Sequence, residues 1–173
     1  MSLQEIILGL DPGSRHTGFG LIAVERDVCR HIEHGVIHLN SDLPLAQRLK
    51  RLHTELNGLF ARHRVHTVVV EKIFFGKNAD SAFKLGHARG VCLLSAAEHG
   101  AEFEEYAARF VKKCITGSGA AEKEQVQMMI FNLLRIPSHK MAFDASDALS
   151  LAVTHAQMSE GTRRMRKMME GAP

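Results

Sequence analysis

The segment HTVVVE, residues 66–71, constrains the fold more than any other part of this chain. A β-branched run this short and apolar reads as a strand buried on both faces. It closes on a carboxylate, Glu71. Residues 6–10 (IILGL) read as a second strand of the same kind, followed at once by another acid, Asp11. Between them Leu45, Leu49, Leu52, Leu56 and Phe60 recur every three to four residues, one apolar stripe of a helix reaching about His63. A right-handed crossover through that helix lays the two strands parallel. If they are neighbours, Asp11 and Glu71 emerge at the same sheet edge, the carboxyl edge where ligand sites of α/β sheets form.

The remaining segments fit around this pair. Thr17–Val24 reads as a strand returning after the turn Asp11–Ser14, and Cys29–Leu39 as a third strand of the same meander. Ser41 or Asp42 can cap the first helix, with Pro44 in its first turn. A long helix starts at Asn78 or Asp80 and runs to about His99, roughly 30 Å of rod. Residues 102–106 form one more strand, and Glu122–Leu134 and Asp144–Gln157 two more helices, separated by a break containing Pro137. The order β β β α β α β α α is that of an α/β domain, a mixed sheet with helices on both faces.

With 173 residues and 45% hydrophobic composition, one core is the expected number. We read 1–157 as a single domain and 158–173 as a basic tail, a segment open to disorder. The net charge of +3 permits an anionic partner without requiring one. Three widely spaced cysteines, with no CxxC, point to neither a disulfide framework nor a thiolate zinc site. No signal peptide is visible at the start, and no run approaches the length of a membrane span, so a cytoplasmic protein is expected.

Two further acids complete a pattern. In FDASDALSLAV (143–153), Asp144 and Asp147 stand three residues apart on one helix face. The alanines, leucine and valine that follow suit packing on a sheet, which would carry both acids towards Asp11 and Glu71. Four carboxylates without cysteine make an oxygen-rich site for a hard cation, Mg²⁺ or Mn²⁺. Two such ions about 4 Å apart can clamp a phosphodiester and activate water. Each acid also has a plain structural reading: Asp144 as a helix cap, Asp147 as a charge near a helix N-terminus, Asp11 as a turn residue.

Basic and aromatic residues surround this pattern. Lys112 and Lys113 precede TGSG (116–119), a turn that could offer amides to phosphate ahead of a helix containing Lys123. In KIFFGKN (72–78), Phe74 and Phe75 lie between Lys72 and Lys77, a combination that suits base stacking beside a phosphate track and equally a core role. His31, His34 and His38 are expected on one strand without sharing a face. Gly86 and Gly90 weaken the long helix, and close approach of a neighbour (a second subunit, the sheet or nucleic acid) would explain them.

Taken in order, D-P-G-S-R-x-T-G-x-G after a strand, VVVEKIFFGKNADSAFKLGHARG, EYAARFVKKCITGSGAAEKEQV and DASDAL resemble the RuvC-type Holliday junction resolvases across about residues 5–157. The resemblance implies a ribonuclease H-like fold with a mixed five-stranded sheet. It implies a homodimeric Mg²⁺-dependent endonuclease, Mn²⁺ substituting and two ions present with DNA bound, that makes paired symmetric cuts in four-way junctions. Position by position, it makes Asp11, Glu71, Asp144 and Asp147 the catalytic and metal-binding tetrad. Lys112 and Lys123 become contacts near the scissile phosphate, and Phe74 the aromatic that stacks at the junction centre; Lys77 and Arg15 complete the expected DNA-contact set. A RuvAB branch-migration complex is the implied partner.

Two other readings compete. A D-x-G-x-T loop after a strand also opens phosphotransferases of the sugar kinase and actin type, but those need two large lobes. A junction-binding module without catalysis would leave four acids repelling DNA phosphate.

Overall fold

The structure, a computed structural model, describes residues 4–26, 28–72, 79–137 and 141–170, with 79–81 and 159–170 as backbone only. Its strands are β1 (Glu5–Asp11), β2 (His16–Glu25), β3 (Val28–His38), β4 (Thr67–Glu71) and β5 (Glu102–Tyr106). The helices are α1 (Leu45–Arg62), α2 (Ala79–Glu98), α3 (Ala108–Thr116), α4 (Lys123–Leu134) and α5 (Phe143–Glu170). One sheet holds the strands in the order β3-β2-β1-β4-β5. The meander β1-β2-β3 is antiparallel, whereas β4 pairs parallel with β1 and with β5. The mixed five-stranded sheet and the parallel placement of HTVVVE beside IILGL are as expected.

Strand alternation sorts the core into two halves. Leu8, Leu10, Leu21, Val68 and Val70 point to α1 and α2, where Leu52, Leu56, Ala88, Cys92 and Ala96 meet them. Ile7, Ile22, Val24 and Val69 point the other way, to α3, α4 and α5, against Val111, Ile130, Leu149 and Ala152. Two helices therefore cover one face and three the other.

Several local expectations need correction. Pro44, with no side-chain cap, takes the N-cap of α1, while Asp42 is tied by its amide to Asn40 Oδ1 at 3.0 Å. Helix α3 was not expected at all. It begins two residues after β5 ends, behind an Ala107 N-cap that offers no side-chain oxygen, so nothing local announces it. Helix α5 continues past Gln157 to Glu170, through much of the segment read as a tail. No described helix is long and apolar enough to cross a membrane.

Candidate active site

Asp11 is the last residue of β1 and Glu71 the last of β4. The parallel register pairs Leu10 with Val70, so one residue further on the two acids stand side by side at the strand ends. Both belong to the face covered by α5, because Asp11 follows Ile7 and Gly9 at two-residue intervals. The expected meeting of these acids at one sheet edge is realised.

What brings the other two acids there is an absence of side chains. Gly9 pairs across the sheet with Gly20, and Asp11 with Gly18. A Cβ on Gly9 would overlap the carbonyl oxygen of Ala148, and one on Gly18 that of Asp144. At Gly20 it would reach to 2.6 Å from the Leu149 side chain. These positions form a groove in which the backbone of α5 lies directly on β1 and β2. The first turns of α5 thus come to rest beside Asp11, carrying Asp144 and Asp147. Gly18 thus seats the helix on the strand. Gly13 does serve the turn, since a Cβ there would strike the His16 carbonyl oxygen. Helix α5 begins at Phe143, so Asp144 lies inside the first turn rather than capping it.

Electrostatics confirm the proximity. Burial, followed by the charges of Asp147, Glu71 and Asp144, pushes the Asp11 carboxyl up to about 7 against an opposing Lys123. Glu71 is also raised, by burial and then by Asp147, with Lys123 and Lys112 acting against the shift. Lys123 is raised chiefly by its hydrogen bond to Asp147, its ammonium donating to Oδ2 at 3.1 Å. A cleft of ≈ 260 Å³ opens between Glu71, Lys112, Lys123 and Asp147, with Val126 and Leu151 among its walls. A larger cavity, ≈ 820 Å³, lies elsewhere, between β3 and the end of α4, and none of the four acids lines it. Size does not identify the site; converging charge does.

Among the described residues, no three acidic, histidine or cysteine side chains are closed into a ready-made chelate. The acids instead face a common space in which one ammonium answers several carboxylates. An all-oxygen donor set with negative charge in excess, in which burial first and the neighbouring carboxylates next hold the Asp11 carboxyl up at about 7, fits a hard divalent cation.

The other expected site residues fall out differently. Lys112 is half-buried at the cleft, its ammonium donating to the Ala121 carbonyl at 2.7 Å. Arg15 is exposed at the tip of the β1–β2 turn, and its carbonyl accepts the amide of Leu39 at 2.8 Å. Phe74 and Lys77 lie outside the described residues.

TGSG is not an open phosphate cradle. Gly117 ends α3 in the left-handed region (φ 83°), the Thr116 and Ser118 hydroxyls accept the amides of Ser118 and Ala120, and Glu122 caps α4 in a capping box with Gln125. The amides of Gly117, Ser118 and Ala120 are thus engaged within the turn and the helix end.

Sequence reasoning missed two contributors. Arg48 of α1 donates from Nη1 to the Ser14 carbonyl at 2.8 Å, fastening the turn that follows Asp11. Tyr106 pairs with Glu71 in the sheet, and its hydroxyl stands 3.0 Å from Nδ1 of His155 on α5. Arg48 carried no signal; Tyr106, as the sole tyrosine, invited a question that only topology could answer.

The histidines also depart from expectation. A bulge opposite Leu21 and Ile22 absorbs one residue of β3, so His31, His34 and His38 pair with Ile22, Gly20 and His16 and share one face. The His31 and His34 rings meet at 2.7 Å.

Comparison with known proteins gives a consistent result. A family model described as crossover junction endodeoxyribonuclease RuvC matches residues 7–155. The chain is 48% identical over 151 residues to the protein of that name from Bdellovibrio bacteriovorus, covering 87% of this chain and 89% of the relative. With its counterpart in Chromohalobacter salexigens it shares 46% over 156 residues, 90% and 83% of the two chains. Among solved structures, T. thermophilus RuvC in complex with Holliday junction substrate superposes with a TM-score of 0.85 at 31% identity, over 91% of this chain and 96% of that one. A yeast mitochondrial Holliday junction resolvase shares the fold, with a TM-score of 0.67 at 12% identity, over 95% of this chain and 82% of that one.

Proposed function

The chain belongs to the RuvC family of crossover junction endodeoxyribonucleases, and from that premise we propose how its residues resolve a four-way DNA junction. The reading is carried by one observation: Asp11 and Glu71 end neighbouring parallel strands directly beneath the first turns of α5, where Lys123 donates to Asp147. Asp11, Glu71, Asp144 and Asp147 are the catalytic acids, and they would hold Mg²⁺, or Mn²⁺ in its place, with two ions when DNA is bound. Such ions supply charge neutralisation at the phosphate and a nucleophilic water at neutral pH.

The chain itself does the positioning. The glycine groove fixes α5 against β1, so the Asp144/Asp147 pair keeps its place relative to Asp11 and Glu71. Lys123 lines the cleft with its ammonium on Asp147 and is the group best placed to exchange that carboxylate for a phosphate oxygen. Lys112 lowers the cost of the Glu71 charge. Phe74, Lys77 and Arg15 complete the DNA-contact set in this reading, with Phe74 stacking at the junction centre.

Paired symmetric cuts need two sites, and a C₂ dimer would supply them. Phe83, Leu93 and Leu94 on α2 are 70%, 48% and 52% exposed, and a Cβ at Gly86 or Gly90 would meet nothing in this chain. The sheet is therefore not what those glycines accommodate. We place the subunit seam along this α2 face. Leu93→Glu should convert the protein to monomers by light scattering and turn paired cuts into single nicks; a dimer that persists would move the seam elsewhere. A RuvAB branch-migration complex as partner and a cytoplasmic location follow from the family reading.

The central test uses a labelled four-way junction with Mg²⁺ and the wild type beside Asp11→Asn and Asp147→Asn. Wild type should cut both opposed strands, while each variant should fall below about 1% of that rate yet still bind. Cleavage retained in both variants would remove these acids from the chemistry. Nucleotide-dependent phosphate transfer without DNA would revive the kinase reading, which the family match otherwise leaves without support.

A further inference from the structure

Immediately before Asp144 stands an aromatic residue that no part of the chemistry above employs. Phe143 opens α5 and is 39% exposed, while Met141, two residues earlier, packs on the core. Its place at the rim of the site is set from two sides. Residues 143 and 147 are about one helical turn apart, so Phe143 and Asp147 lie on the same face of α5. From α4, Lys123 donates to Asp147 at 3.1 Å, and Gln127, one turn further on, donates from Nε2 to the Met141 carbonyl at 3.0 Å. The Ala142 carbonyl accepts the amide of Ser146 at 3.1 Å, so the chain on both sides of Phe143 is hydrogen-bonded in place.

The Lys123 ammonium lies 6.0 Å from the centroid of the Phe143 ring. At that distance cation–π attraction is at its outer limit, and the ammonium is already committed to Asp147. A single exposed phenylalanine is ordinary on a protein surface. This one is distinguished by its surroundings: it lies within one turn of two of the acids and beside the lysine assigned to phosphate. A base hangs one sugar away from its own phosphate, a span comparable to that between this ammonium and this ring. Every base offers a π-face to an aromatic side chain standing beside a cation that holds the backbone.

We propose that Phe143 stacks on a nucleobase of the cleaved strand, next to the phosphate that Lys123 takes in exchange for Asp147. The proposal rests on the junction-nuclease reading, because it needs a strand lying across the acids. The phenyl ring has no proton to give and no part in the hydrolysis itself; it binds and registers the strand. Stacking of this kind tolerates any base, so the contact fixes how far the strand advances through the site rather than which sequence is cut.

The test compares single-turnover cleavage, with Mg²⁺ and sub-saturating enzyme, of four-way junctions whose bases are intact or removed singly. A tetrahydrofuran abasic analogue replaces, in turn, each nucleotide flanking the mapped cut. The readout is the ratio of intact to abasic rate within each protein, which an inactive fraction does not alter. In wild type one position should show a ratio of about 10, the loss of one stacked base. Phe143→Ala should lower the intact-junction rate about tenfold and bring the ratio at that position to about 1, because the two changes remove the same contact. Phe143→Leu keeps apolar bulk without a π-face and should behave as the Ala variant, whereas Phe143→Tyr should keep the wild-type ratio. Equal ratios in all four proteins would overturn the contact, as would a Phe143→Leu enzyme that matches wild type; both results leave the nuclease reading intact. Wild type that cuts no junction would overturn both.

Discussion

The two faces of the sheet are built by opposite means. Towards α1 and α2 the strands present Leu8, Leu10, Leu21, Val68 and Val70, all at most 1% exposed, and apolar volume fills the space. Towards α5 the same strands present Gly9, Gly18 and Gly20, and the helix backbone comes down where side chains would have been. One face is held by what it contains and the other is positioned by what it omits. Stability and placement of the acids are thus assigned to adjacent residues of a single strand, a consequence of the two-residue period of β structure.

Leu8 and Gly9 are the pair on which this contrast breaks or stands. Leu8→Ala deletes buried volume and should cost about 2–5 kcal/mol. For a domain of this size that is a fall in melting temperature of roughly 5–15 °C. At a temperature where the variant remains folded, junction cleavage should be close to wild type. Gly9→Ala adds only a methyl group, which overlaps the Ala148 carbonyl unless α5 moves. It should cost less stability, about 1–3 kcal/mol. Its cleavage rate at the same temperature should fall further than that of Leu8→Ala, by about 100-fold. Melting curves beside single-turnover rates decide the matter. Equal cleavage losses in the two variants would show that the faces are not specialised.

The same contrast explains what was legible in the sequence. Where residues fill space, periodicity reports it: the Leu45-to-Phe60 stripe gave α1, and HTVVVE gave β4 with its parallel neighbour. The four acids could be picked out because each ends or begins an element with few charged neighbours. Where structure depends on a missing side chain, nothing local speaks. Gly9 inside IILGL looks like an ordinary member of a buried strand, and its necessity arises from Ala148, far along the chain.

Helix α3 stayed hidden for a related reason. Ala107 joins it to β5 with neither a capping side chain nor a proline to mark the boundary. The face shared by His31, His34 and His38 was misjudged because a one-residue bulge reverses alternation, and the bulge is a property of pairing with β2. The segment 73–78, with Phe74 and Lys77, was singled out by its chemistry and lies outside the described residues.

The smallest effect separates the faces by pH. On the aliphatic α1/α2 side the buried Cys92 thiol is pushed up to about 12 by burial, far from neutrality. On the α5 side Asp11 moves from an ordinary 3.8 to about 7. A carboxyl raised in the folded state binds more protons there than in the unfolded chain. Stability of the metal-free protein should therefore fall as pH rises from about 4 to about 7, and level off above. The shift sets a ceiling of about 4 kcal/mol; partial exposure and screening reduce the expected loss to about 1–2 kcal/mol. Glu71 adds in the same direction. Urea melts of metal-free wild type at about pH 5 and about pH 8 should show that difference, and Asp11→Asn should remove most of it. Added Mg²⁺ should stabilise wild type more at the higher pH, since the ion binds the ionised carboxylates. A pH profile identical in wild type and Asp11→Asn would mean that burial and the neighbouring acids do not raise Asp11 as the geometry indicates, and the α5 face would lose its distinction as the charged half of the molecule.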